Sequence, residues 1–324
     1  MKQILTIISL AGFCITQAAY AAEPASSYPS KPVRAIVGYA PGGGSDIMGR
    51  IMAAELSKAF GQQVITENRA GAAQNIAAEF IAKSPADGYT LFMSSAALGI
   101  NISLYPKLNY HPVKDFAPVA LFAISPNLLL THPSLPPRSV KEFIAFAKQY
   151  PGKLNYSSSG SGSTQHLSGE MLKVMTGIGI VHIPYRGTAP SMVALLSGEV
   201  EFSLSNIPAA LTYVQSGRLR ALAITSAKRS ALLPNLPTMN EAGVPKFETS
   251  TWYGLLAPAA IPRDIVTKLN GAVNTIVKNP DFNKRLAQLG ADPVAESPEF
   301  FANFLKAEIE RWAPVVKASG ARPE

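Results

Sequence analysis

The sequence predicts an α/β protein of two similar halves, joined by crossing strands and separated by a cleft. Three observations carry that expectation. Short β-rich runs alternate with segments of helical periodicity, the pattern of parallel sheets with crossover helices. Each run passes through a turn of small residues before the next helix, as in "VRAIVGYAPGGGSD". Two extended, proline-punctuated stretches, residues 116–133 and 248–262, bracket a compact α/β segment. If both cross between halves, residues 130–249 form a second domain inserted into a first made of 27–129 and 250–324.

The elements follow in order. "VRAIVGY" is a strand that runs into three glycines, and residues 46–60 then carry apolar side chains at helical spacing. "QVITEN" is the next strand, "AGAAQN" a turn of small residues, 76–82 a helix, and "SPADG" a turn into the strand "YTLFMSS". Beyond the first crossing run, Ser139 and Glu142 make a capping box for a helix ending near Gln149. "KLNYSSSGSGST" is a strand and Ser/Gly loop before a helix that starts near Gln165. "GIVHIPYRGTAP" repeats the unit, with Pro190 suited to a first helical turn, and "EVEFSLSN" and "RALAIT" complete the set. Helices over 264–278, 282–289 and 298–317 close the chain, stopped by Gly290 and Gly320.

Composition narrows the function. The 324 residues are 47% hydrophobic and 15% charged, enough apolar material for real cores, yet no internal run is long enough to span a bilayer. Residues 1–21 read as a secretory signal peptide: Lys2, an apolar stretch, then Ala19-Tyr20-Ala21 as cleavage site. The single cysteine, Cys14, lies inside it, and Phe13 occupies the place a lipidation signal gives to a small residue. The exported chain therefore has no cysteine, which excludes disulfides, thiolate metal sites and cysteine nucleophiles. The net charge of +8 comes from scattered lysines and arginines without a nucleic-acid motif, so anionic small molecules are the expected partners.

Chemistry concentrates in the turns "APGGGSD", "RAGAAQN", "MSSAAL", "SSSGSGST", "PYRGTAP" and "LSNIP". Free N–H groups at helix starts, with the helix dipole behind them, bind anions, and a glycine run lets the backbone approach. "APGGGSD" has neither the lysine of a phosphate loop nor dinucleotide-type glycine spacing. His111, His132, His166 and His182 show no zinc spacing, and "YSSSGSGSTQH" has no nucleophile elbow. Neither a metal nor a cofactor is implied. Tyr39, Tyr156 and Tyr185 fall where rings can line a cleft, whereas Trp252 and Tyr253 are expected to pack beneath the loops.

Taken together, "YPSKPVRAIVGYAPGGGSD", "VITENRAGAAQNIAAEFIAKSPADGYTLFMSS", "YSSSGSGSTQHLSGEML", "HIPYRGTAPSMVALLSGEVEF", "LPNLPTMNEAGVP" and "TWYGLLAPAAIP" resemble the Bug extracytoplasmic solute receptors of tripartite tricarboxylate transporters. The resemblance spans nearly the whole exported chain, in order. It implies a periplasmic binding protein of type II architecture, two doubly wound sheets closing on a carboxylic acid, and no enzyme. It further implies that the first loop, Ala40, Pro41, Gly42, Gly43, Gly44, Ser45 and Asp46, grips a carboxylate; Tyr39 at the strand end, and Ser94 and Ser95 in the turn "MSSAAL", are further candidate ligand-binding residues. The opposing half would contribute Ser158, Ser159, Gly160, Ser163, Thr164 and His166, the turn Tyr185, Arg186 and Gly187, and the strand end Ser205 and Asn206. A monomer would present the ligand to membrane permease subunits. The chain departs from the family pattern at 71–74, "GAAQ" where "GAGG" is common, at Arg186 in place of lysine, and at Asn206, near which an aspartate often stands. That last departure speaks against an amino group on the ligand, and Arg186 is a candidate for a second carboxylate. Two alternatives remain: an exported hydrolase using a serine near His166, and a receptor that feeds a signalling protein.

Overall fold

The structure, a computed structural model, describes residues 24–323, so the signal peptide at 1–21 and Cys14 lie outside the described residues. Among the described residues, ten strands and ten helices follow one another, beginning with β1 (Val33–Val37), α1 (Gly44–Phe60), β2 (Val64–Asn68), α2 (Asn75–Ala82), β3 (Thr90–Ser95), α3 (Ala97–Leu104) and the long β4 (Phe116–Thr131). Next come α4 (Val140–Gln149), β5 (Leu154–Ser158), α5 (Thr164–Thr176), β6 (Ile180–Pro184), α6 (Thr188–Ser197), β7 (Phe202–Asn206), α7 (Ile207–Gln215) and β8 (Arg220–Ile224). The chain ends with β9 (Ser250–Pro258), α8 (Arg263–Lys278), α9 (Pro280–Gln288), the two-residue β10 (Asp292–Pro293) and α10 (Pro298–Ser319).

Two sheets share β4. In the first the order is β2-β1-β3-β9-β4, with β1 parallel to β2 and β3, and β9 antiparallel to β3 and β4. In the second, β5 lies parallel to β6 and β7, and β4 runs antiparallel to β7 and β8. Apolar side chains cover both faces of each sheet, as alternating β and α segments require. The result is the two-lobed, doubly wound arrangement.

The sheets change hands at one place. Pro126 pairs with Ser250 in the first sheet, while the next residue, Asn127, pairs with Asn206 in the second. Thr225 ties the crossing segments together: its Oγ1 accepts the Asn127 N–H at 2.8 Å and donates to the Thr249 carbonyl at 2.6 Å. Behind the crossing, α10 spans both lobes, where Trp312 and Val316 pack with Ile100 and Leu104 of α3 and Leu167 of α5.

The C-terminal helices fall within a few residues of expectation. The strand-to-helix turn "MSSAAL" leads into α3, whose bounds the sequence leaves open because "ALGINISL" is apolar around nearly its whole circumference and shows no 3.6-residue stripe. Such a helix is one that is buried on most sides, here in contact with α10.

Candidate ligand-binding site

The carboxyl ends of the strands in both sheets open toward each other. Helix α1 starts there with Gly43 at its N-cap and no side chain closing its first turn. Helices α6 and α7, with Gly187 and Asn206 at their N-caps, likewise have no side-chain cap. Their positive ends converge. A methyl group added at Gly43 would lie 3.1 Å from Thr188 Cβ, and one at Gly44 would lie 2.2 Å from Asn206 Oδ1 and 2.8 Å from Tyr253 Oη. Glycine at both positions is what lets the first loop meet the opposing lobe. The Ala40 N–H also donates to the Arg186 carbonyl at 3.2 Å, and Tyr105 Oη to the Ser161 carbonyl at 2.8 Å. The lobes are closed.

The first loop is shaped from within. Asp46 is buried, accepts the Gly42 N–H at 2.9 Å, pairs with Arg50 at 3.0 Å and accepts from Asn68 at 2.8 Å. Burial alone would raise its pKa, but the bonds from Arg50, Gly42 and Asn68 outweigh it and hold the carboxyl below its ordinary range. Across from it, Gln165 donates to Thr188 Oγ1 at 3.0 Å and to Ser205 Oγ at 3.4 Å, and Thr164 bonds Thr251. At the floor, Gln74 bonds the backbone of Ser95, whose hydroxyl meets Tyr39 Oη at 3.5 Å.

Polar atoms without partners mark the centre. Gln165 Oε1, Asn206 Oδ1 and Tyr253 Oη are buried and make no hydrogen bond. Such atoms are costly unless something fills them. Burial raises the pKa of Tyr39 and Tyr253 far above the ordinary phenol value, so both keep their protons. Among the described residues, the side chains gathered here (Tyr39, Gln74, Ser94, Ser95, Gln165, Thr188, Ser205, Asn206, Tyr253) are all uncharged. Three helix N-termini thus meet at one polar contact between the lobes, and the carboxylate of the first loop, Asp46, is already taken. At the mouth lies a cavity of about 560 Å³ lined by Ala72, Ala73, Gly160, Tyr185 and Arg186 among others.

Of the residues singled out from the sequence, Tyr39, Ala40, Gly43, Gly44, Ser94, Ser95, Thr164, Gly187, Ser205 and Asn206 come together at the lobe contact. Pro41 and Gly42 are exposed at its edge, Ser45 is half-buried on α1, and Ser159 is buried in the Ser/Gly loop. Gly160 faces Ala73, and Arg186 is exposed at the mouth. Four side chains turn to other tasks. Asp46 holds the first loop; Tyr185 Oη donates to Glu199 at 2.7 Å; Ser158 Oγ contacts His182 Nε2 at 2.6 Å; Ser163 Oγ caps α5 by accepting the His166 N–H at 3.2 Å. His166 Nδ1 accepts the Gly162 N–H, and its ring stacks on His182 with centroids 3.9 Å apart. Burial lowers the pKa of His166 to about 4, with Lys173 adding to the effect, and that of His182 to about 2, with His166 and Lys173 adding.

Sequence reasoning missed Gln74, Gln165, Thr188 and Tyr253. Tyr253 does pack its ring, stacked on Phe122 at 6.4 Å as expected, yet its hydroxyl reaches Gly44. The signal for Gln165 and Thr188 was their place in the first turn after a small-residue loop.

A closed, two-lobed receptor with an anion-seeking centre is the class that this geometry defines. The model of the tripartite tricarboxylate transporter family receptor matches residues 48–321, and the chain belongs to that family, the Bug receptors. It is 39% identical to protein BugT of Bordetella pertussis over 324 residues, 99% of each chain. Among solved structures it resembles R. palustris Rpa4515 with adipate, at 40% identity and a TM-score of 0.89 over 92% of this chain and 100% of that one. It also resembles MatC from Rhodopseudomonas palustris with bound malate, at 35% identity and a TM-score of 0.86 over 89% of this chain and 100% of that one. The family is one of periplasmic solute-binding receptors, not of enzymes. Among the described residues no helix is long and apolar enough to cross a membrane.

Proposed function

We propose that this receptor captures a small mono- or dicarboxylate between its lobes and hands it to the permease subunits of a tripartite transporter. One observation carries the reading: uncapped N-termini of α1, α6 and α7 meet at the contact between the lobes, where Gln165 Oε1, Asn206 Oδ1 and Tyr253 Oη are buried without partners. An anionic ligand compensates those dipoles and completes those hydrogen bonds. Capture of adipate and malate by relatives of the same fold supports it. An ammonium group would find no free carboxylate here, since Asp46 is saturated, which argues against amino acids.

Domains of 27–129 with 250–324 and of 130–249, a monomeric state, and export to the periplasm after removal of residues 1–21 complete the proposal. A hydrolytic role has little support. Ser163 Oγ is occupied in accepting the backbone N–H of His166, and His182, the imidazole beside Ser158, holds a proton too weakly to be a useful base near neutral pH.

Calorimetry on the purified receptor with a panel of mono- and dicarboxylates tests the function. One-to-one binding is expected, with unchanged ligand recovered afterwards and micromolar affinity corresponding to about 8 kcal/mol. Turnover of the ligand that disappears in Ser163→Ala, or no binding across the panel, overturns it. Uptake measured in a deletion strain separates delivery to a permease from signalling.

A further inference from the structure

We propose that Gln74 sets the depth of the cleft and so restricts the receptor to short carboxylates, an inference that rests on carboxylate capture itself. Ala72, Ala73 and Gln74 all have left-handed backbones, at φ 46°, 44° and 68°, a region that residues with a Cβ rarely adopt. Gln74 caps α2 from this strained position without being exposed at all. Strain of this kind persists only where the surroundings impose it.

What surrounds Gln74 is the floor of the site. Its Nε2 donates to the Ser95 carbonyl at 2.9 Å, and its Oε1 accepts the Ser95 N–H at 3.2 Å and the Ser94 and Ser95 hydroxyls at 3.4 Å. The amide thus spends its oxygen and one of its two N–H groups on the end of β3. Its Cβ presses on the end of β1: a methyl group at Gly38 would lie 2.2 Å from it. Gln74 is therefore a wall filling the gap between the carboxyl ends of β1 and β3, the crevice where open α/β sheets receive ligands. Ala72 and Ala73, which precede Gln74 in the chain, line the mouth cavity.

Glycine at 74 would adopt the left-handed backbone freely and leave the gap open, with water able to take over the polar groups of Ser95. The test is calorimetry of the wild-type receptor and Gln74→Gly across the straight-chain dicarboxylates from succinate to suberate, with melting curves alongside. The wild type is expected to prefer the four- or five-carbon acids. Gln74→Gly should shift the optimum about two methylenes longer, with adipate or pimelate gaining about tenfold relative to succinate, the value of burying two CH₂ groups. An unchanged order of preference in a variant that melts normally, or a wild-type optimum at six carbons or beyond, overturns the role of Gln74 while leaving carboxylate capture standing. Absence of binding by both proteins along the series overturns both. If Gln74→Gly fails to fold, Gln74→Ser is measured against the same criterion.

Discussion

At Gly44 the two lobes approach so closely that even one methyl group would collide with Asn206 and Tyr253, and the polar atoms around that contact lack partners. The hydroxyl of Tyr253 is thus unsatisfied without a ligand and useful with one. Tyr253→Phe should leave the melting temperature of the free protein unchanged or raise it, because a buried orphan is removed, while weakening carboxylate binding by about 0.5–1.5 kcal/mol. Paired melting and titration curves check both halves. Asp46 works in the opposite sense, since its three partners need it whether or not ligand is present. Asp46→Ala should cost about 2–3 kcal/mol in urea unfolding, the range for stripping a buried charged acceptor from its donors, and should loosen the loop enough to weaken binding as well. Because the folded-state pKa of Asp46 lies below its ordinary value, its contribution is present above about pH 4 and fades as pH falls through the folded value. The stability difference between wild type and Asp46→Ala should therefore be smaller at pH 3 than at pH 7.

At the level of elements, the site is made by helix starts, and the hinge by a single long strand. β4 carries residues of both sheets, so any motion of the lobes must twist it and its neighbour between Pro126 and Asn127 and between Thr249 and Ser250. Thr225, fully buried, pins these crossings through both faces of one hydroxyl. Thr225→Val keeps the shape but leaves the Asn127 N–H without that acceptor, for an expected loss of about 1–3 kcal/mol in chemical unfolding. It should also broaden the range of lobe separations seen by small-angle scattering without ligand. A variant as stable and as compact as the wild type would show that the crossing holds without this hydroxyl.

For the whole molecule, lobe closure and pH tolerance are set in different places. Closure relies on direct bonds such as Ala40 N–H to Arg186 carbonyl, with the ligand adding its own contacts to both lobes. The radius of gyration should fall when the best carboxylate is added, and a radius that does not move would count against capture by closure. Acid sensitivity comes from the second lobe, where His166 and His182 stack beneath the Ser/Gly loop with Lys173, Glu170 and Tyr156 nearby. Both imidazoles are held neutral, with folded-state values below the ordinary 6.5. The unfolded chain takes up those protons first, so stability is full above about pH 6.5 and declines as pH falls toward 4, by up to about 1.4 kcal/mol per unit for each histidine. Replacing both with glutamine should flatten that slope in melts between pH 7 and 4.5.

How much of this was legible beforehand depends on the range of the interaction. Alternating apolar runs and small-residue turns are local signals, and they are enough for two doubly wound halves, the glycine loop at 42–44 and the helix starts at the strand ends. The ordered set of turns also announced the family. Contacts between segments far apart in sequence left no such signal. That α3 packs against α10, that Tyr253 turns its hydroxyl to Gly44, that Gln74 grips Ser95, and that His166 stacks on His182 are each decided by chains meeting across tens to hundreds of residues. Periodicity records how a segment is wound and which side is apolar; it holds no record of the neighbour that the side will meet, and only the packed molecule supplies that.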